Sequence, residues 1–121
     1  KAGQDLGLDM HTDDSDVTLN VCLGSDSFEA SGLTFCGDMG SADHRLRSYR
    51  YAHRLGRAVM HLGRRRHGAD DITKGHRLNL IMWNYNKEFR ASSEFRARSF
   101  AREGSAPDAE CISYTHDRDY E

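Results

Sequence analysis

No run of about eighteen apolar residues occurs anywhere in the chain, so no helix is long and oily enough to cross a membrane. Paired C-x-x-C spacing is also missing. Cys22, Cys36 and Cys111 form an odd and widely spaced set, which excludes the usual zinc site and makes a disulfide framework unexpected. Cys22 and Cys36 stand inside apolar, strand-like runs, where a free cysteine behaves as a small hydrophobe. A reducing compartment, cytoplasmic or nuclear, suits such cysteines better than a secretory one. Charge of one sign is not in excess either: 17 basic residues face 19 acidic ones, for a net −2. That total calls for neither a nucleic acid nor an anionic membrane. There is no internal repeat, no low-complexity tract and no signal-peptide pattern, although Lys1 need not be the natural start. Hydrophobic residues are scarce, at 37% against 30% charged. A chain of 121 residues makes one domain with a modest core, and this polarity suits both a surface rich in loop and tail and a piece of something larger that covers its apolar faces.

What is present is a series of short strands. Val17, Leu19, Val21 and Leu23 alternate with Thr18, Asn20 and Cys22, the period-two pattern of a strand with one oily face. Gly32–Gly37 predicts a second strand bounded by glycines, Ser48–His53 a third, and Gly56–Gly63 a fourth. Arg64–Gly68 reads as a basic turn and Ala69–Thr73 as a brief extended piece. Gly75 opens the longest run, in which Leu78, Leu80 and Met82 alternate with Arg77, Asn79, Ile81 and Trp83. Many short strands with a single proline, Pro107, indicate an all-β sandwich or barrel. The character changes after Tyr85. Lys87–Arg102 carries Phe89, Phe95 and Phe100 among alternating charged and small residues and reads as an amphipathic helix. The expected organisation is therefore a β core over residues 1–85, followed by a helix and tail over residues 86–121.

The candidate chemistry is that of a metal. His11-Thr-Asp13 sets a histidine and a carboxylate two residues apart, so on an extended segment both side chains point the same way. Taken alone, such a pair is common in solvated loops. His61 and His67 both follow on or near the fourth strand, and Arg77 stands at the start of the next one. Two histidines and one carboxylate on one face leave three positions open, a ligand set suited to non-haem Fe(II). The other histidines, His44, His53, His76 and His116, have no partner at ligand spacing and read as exposed or structural.

These residues carry a family resemblance. His11-x-Asp13, Thr18-Leu-Asn-Val21, Gly32-Leu-x-Phe35, His67-Gly-Ala69, Gly75-x-Arg77 and Leu80-Ile-x-Trp83 resemble the catalytic domain of the prolyl and lysyl hydroxylases. These enzymes are Fe(II)- and 2-oxoglutarate-dependent dioxygenases, and the chain is most similar to the group of 2-oxoglutarate and iron-dependent oxygenase domain-containing protein 2. The likeness covers about residues 3 to 85. It implies a double-stranded β-helix, or jelly roll, with a C-terminal helix. It further implies an N-terminally truncated fragment, because one strand and supporting helices precede the H-x-D segment in that family. By resemblance, His11, Asp13 and His67 bind Fe(II). The ten-residue step from His67 to Arg77 matches the family, whereas the step from His61 does not. Arg77 is implied to hold the far carboxylate of 2-oxoglutarate, and Asn20, on the strand face opposite Val17, Leu19 and Val21, is a candidate to touch the same co-substrate. Beyond the metal centre no catalytic residue is implied. The reaction implied is hydroxylation of a C–H bond, with succinate and CO2 released and ascorbate as a further cofactor. A protein or peptide, through a prolyl or lysyl side chain, is the expected partner.

Two other readings remain open on sequence. One is a jelly-roll module that holds a metal without catalysis. The other is oxidation or demethylation of a nucleic-acid base, for which Arg64-Arg65-Arg66 is the hint, since a basic cluster attracts phosphate. Three arginines in a turn more often form a solvated rim. The loops expected to set specificity are residues 25–31 and 38–47.

Overall fold

A computed structural model describes residues 6–24, 27–38 and 48–102, with side chains in the last helix described as far as residue 97. The loop at 39–47, the linker around Pro107 and the tail with Cys111 and His116 lie outside the described residues, as does the side chain of Phe100. The chain forms strands β1 (Leu8–His11), β2 (Val17–Leu23), β3 (Glu29–Ala30), β4 (Leu33–Asp38) and β5 (Ser48–Tyr51), then β6 (Ala58–Leu62), β7 (Arg65–Ala69), β8 (Ile72–Lys74) and β9 (Leu78–Asn84). Helices α1 (Lys87–Ala91) and α2 (Ser93–Arg102) follow.

All strand pairs are antiparallel. One sheet has the order β1-β7-β4-β5, a second β6-β2-β9, and β3 pairs with β8 in a short third ribbon. The two larger sheets face each other: Val59 of β6 packs on Leu33, Phe35 and Ala69 of the first sheet. The expected all-β core is therefore a β-sandwich.

What fills that sandwich follows from β2. Its alternation is as the sequence predicts, but the polar face is the inner one. Thr18, Asn20 and Cys22 are buried, whereas Leu23 is exposed and Val17, Leu19 and Val21 are only half-buried. On the neighbouring strands Met60, Leu78, Leu80 and Met82 are likewise exposed. Apolar residues need not face inward when the interior holds a polar site, because buried polar groups satisfied by one another cost little.

Three local expectations are corrected. Arg64–Gly68 is not a basic turn. Arg65 to Gly68 belong to β7, which pairs with β4 on one side and β1 on the other. Arg66 is buried and Arg65 Nε donates to the Cys36 carbonyl at 3.0 Å. A strand packed between two neighbours takes up charged residues when their ends find partners. The predicted single helix is two, because Ser92 is extended and its Oγ accepts from Phe95 N at 3.2 Å, capping α2 as Asn86 caps α1. Finally, Cys36 is disulfide-bonded rather than a free thiol, while Cys22 is free and buried. Separation along the chain does not measure separation in the fold.

Two glycines are required by close approach. A Cβ at Gly63, between β6 and β7, would lie 2.0 Å from the Ser15 carbonyl oxygen. At Gly75 (φ +76°) a Cβ would lie 2.3 Å from the Ser27 carbonyl oxygen. The segment 13–16 is tied down from the other side by α1, where Arg90 pairs with Asp14 at 3.1 Å and Asp16 at 3.0 Å.

Candidate metal centre

The pairing of β1 with β7 sets His11 directly opposite His67, and cross-strand partners on one face are in contact. Their ring centroids are 4.4 Å apart. Asp13 lies just past the end of β1, where its backbone N donates to the Gly63 carbonyl at 2.9 Å. Its carboxylate faces both rings: His11 Nε2 is 3.5 Å from Oδ1 and His67 Nε2 is 3.6 Å from Oδ2. The Nδ1 atoms of both histidines meet backbone carbonyls, His11 at Asp9 (2.7 Å) and His67 at Arg65 (2.9 Å). An Nδ1–H spent in this way leaves Nε2 as a bare lone pair, which is how metal-binding histidines are oriented. Burial holds His67 below the ordinary histidine range, as do the neighbouring His11 and His61, with the Arg65 carbonyl and Asp13 opposing. The imidazole is therefore neutral, as a metal ligand must be.

The three ligand atoms of His11, Asp13 and His67 lie within 4.8 Å of one another. Two imidazole nitrogens and a carboxylate oxygen converging this closely fit a divalent cation of the first transition row.

His61 stands beside the centre. It comes from β6, opposite Thr18, with its ring 4.3 Å from that of His67 and 5.2 Å from that of Phe35. Its Nδ1 meets the Leu62 carbonyl at 3.0 Å, and its buried Nε2 is 4.0 Å from Asp13 Oδ2, without a hydrogen-bond partner among the described residues.

The centre opens into a cavity of about 580 Å³ whose lining includes His11, Asp13 and His67 together with Asn20, Asn79 and Arg77. The structure thus brings every sequence-predicted site residue to one cavity. Arg77 is half-buried, and its Nη1 donates to the carbonyl of Ser31. Ala30 and Ser31 both adopt left-handed backbone, at φ 65° and 59°. Such strain in residues with side chains is held by surrounding structure and clusters at ligand sites. Burial pulls the Arg77 guanidinium down from its ordinary value, with the Cys22 thiol and the Asp70 carboxylate opposing. Asn20 Oδ1 accepts from Asn79 Nδ2 at 2.7 Å. Apolar walls come from Leu33, Ile81 and Trp83.

Sequence reasoning missed the buried partners of Asp13. Thr18 Oγ1 donates to Asp13 Oδ2 at 2.5 Å, and Ser15 Oγ lies 2.7 Å from Thr18 Oγ1. The signal available was Thr18's place on the polar face of β2.

No protein-family model and no solved structure matches the chain. Curated proteins do. A 2-oxoglutarate and iron-dependent oxygenase domain-containing protein of Arabidopsis thaliana, ICU11, is 41% identical over 98 residues, covering 77% of this chain and 24% of that protein. A second Arabidopsis protein with that domain name, CP2, is 44% identical over 92 residues, 72% of this chain and 23% of its own length. The Homo sapiens 2-oxoglutarate and iron-dependent oxygenase domain-containing protein 2 is 37% identical over 81 residues, 67% of this chain and 23% of its length. The chain spans about a quarter of the length of these relatives. Over two thirds to three quarters of its residues, this chain is therefore a homologue of the 2-oxoglutarate and iron-dependent oxygenase domain-containing proteins.

Proposed function

We propose that this chain carries the Fe(II)- and 2-oxoglutarate-binding centre of an oxygenase, on a double-stranded β-helix, that hydroxylates an unactivated C–H bond of a prolyl or lysyl side chain. The observation that carries this reading is the convergence of His11, Asp13 and His67 within 4.8 Å at the wall of a cavity that also receives Arg77. His11, Asp13 and His67 would hold Fe(II), and a set of only three protein ligands would leave room at the metal for the co-substrate. Bound iron supplies the oxidative chemistry. Overall, R–H, 2-oxoglutarate and O2 give R–OH, succinate and CO2; one oxygen atom enters the hydroxyl and the other the new succinate carboxylate.

The chain's own residues bind, orient and shield. Arg77 offers the C5 carboxylate of 2-oxoglutarate a planar fork that makes two charge-assisted hydrogen bonds, in a site where burial strengthens them. Asn20, fixed by Asn79, stands on the same wall and contacts the co-substrate or a water beside it. Leu33, Ile81 and Trp83 keep water from the reacting face and suit an aliphatic substrate. The orders β1-β7-β4-β5 and β6-β2-β9 support the β-helix assignment. The arginine run gives a nucleic acid little to hold, because Arg66 is buried and Arg65 is spent on the Cys36 carbonyl.

The test is succinate release in air with Fe(II), ascorbate and 2-oxoglutarate, alongside mass spectrometry of prolyl and lysyl peptides for a gain of one oxygen. Wild type turns over, and Asp13→Ala and His67→Ala do not. Full turnover by Asp13→Ala would refute the ligand assignment. Iron binding without succinate would make the chain a metal-holding module instead.

A further inference from the structure

The carboxylate of Asp13 is held by a two-link chain of hydroxyls. Asp13, Ser15 and Thr18 are 6%, 7% and 1% exposed, so bulk water does not compete for their polar atoms. Thr18 Oγ1 gives its single proton to Asp13 Oδ2 at 2.5 Å. With that proton committed, the 2.7 Å contact to Ser15 has one polarity only: Ser15 Oγ–H donates to Thr18 Oγ1. Links of this kind polarise one another along the chain. The architecture serves it. β2 turns Thr18 inward opposite His61, and Gly63 allows the Ser15 backbone to come closer than any side chain would permit.

We propose that Thr18, oriented by Ser15, is a positioning residue that engages Oδ2 of Asp13 and so presents Oδ1, which faces His11, as the single metal-binding oxygen. This rests on the oxygenase reading in taking Asp13 as a ligand. It goes further in saying why the carboxylate binds through one oxygen. Were both oxygens bound, the carboxylate and two imidazoles would fill four positions of an octahedral sphere, a chelating keto acid would take the last two, and none would remain for dioxygen. Thr18 thereby preserves the vacancy that the reaction needs. Thr18 is not among the three converging ligands, and the role assigned to it runs through its hydrogen bond to Asp13.

The test uses the whole chain with Co(II), whose visible spectrum reports ligand number and geometry. Thr18→Val keeps the side-chain shape and removes the donor. Its Co(II) dissociation constant should rise about 10- to 100-fold, the usual cost of losing a group that orients a metal ligand. At saturating Co(II) its spectrum should shift as Asp13 is freed to chelate. Thr18→Ser, which keeps the hydroxyl, should restore both affinity and spectrum. A merely structural threonine would alter melting temperature and leave the spectrum of the loaded protein unchanged. Wild-type affinity and spectrum in Thr18→Val would overturn the proposal alone. Absence of Co(II) binding by wild type would remove the metal centre and the proposal with it. Should Thr18→Val fail to fold by circular dichroism, Ser15→Ala takes its place. That variant should weaken Co(II) binding by a smaller factor than expected of Thr18→Val, and no change in its affinity or spectrum would overturn the proposal equally.

Discussion

Replacing Arg77 by methionine removes a cation from the cavity while keeping a side chain of similar length. In the structure Arg77 is half-buried and already donates one N–H to the Ser31 carbonyl, leaving the rest of its fork for a ligand. Two hydrogen bonds to a charged group are worth about 3–6 kcal/mol together. Partial exposure and the bond kept by Ser31 bring that to about 2–4 kcal/mol, or a loss of about 30- to 700-fold in 2-oxoglutarate affinity. The assay is anaerobic titration of the Fe(II)-loaded chain with 2-oxoglutarate, and in parallel with 2-oxopentanoate, which has the same keto-acid head and a methyl in place of the far carboxylate. Wild type should discriminate between the two by nearly the whole of this factor, and Arg77→Met by almost none of it. Fe(II) affinity without co-substrate should stay within about twofold, because Arg77 is not among the ligands. Undiminished preference of Arg77→Met for 2-oxoglutarate would refute the assignment of this arginine to the far carboxylate.

Gly63→Ala places a methyl 2.0 Å from the Ser15 carbonyl oxygen. Two of the three nearest atoms, the Ser15 carbonyl oxygen and carbon, are backbone, so relief requires moving the 13–16 segment. The expected cost is about 3 kcal/mol, or roughly 10 °C in melting temperature, and a change under 2 °C would contradict the packing described. His53 is held at about pKa 4, first by burial and then by the Arg77 charge, and neither of its ring nitrogens has a hydrogen-bond partner among the described residues. Its folded value lies below the unfolded one, so its contribution is fully present above about pH 6.5 and is lost as pH falls toward 4. Melting of the metal-free protein from pH 7 to 4.5 should therefore decline less steeply in His53→Phe than in wild type, by on the order of 1–2 kcal/mol. Parallel curves would show that His53 is not a buried neutral ring.

Period-two alternation made β2 and β9 legible, and glycine boundaries marked β4 and β6. Alternation tells which residues share a face but not which face is inside. In β2 the inner face is the polar one, and Thr18 and Asn20 line the cavity from it. β7 was hidden by its composition. Arg65-Arg-His-Gly-Ala69 has no apolar alternation, and it is a strand because it lies between β1 and β4 and carries His67. His11, Asp13, His67 and Arg77 were found through motif spacing in a known family rather than through periodicity. Of the hydroxyl chain behind Asp13, only Thr18's place on the polar face of β2 was legible, since serine and threonine at positions 15 and 18 become partners only once the turn after β1 brings them together. The disulfide at Cys36 was likewise unreadable, because spacing alone does not report proximity.

Anaerobic equilibrium dialysis against Fe(II) tests the central claim most directly, with wild type beside Asp13→Ala, His67→Ala and His61→Gln. Wild type and His61→Gln should hold one ion per chain, and the other two should lose it. Tight binding by His67→Ala with loss in His61→Gln, or no ion held by wild type, would contradict the centre described.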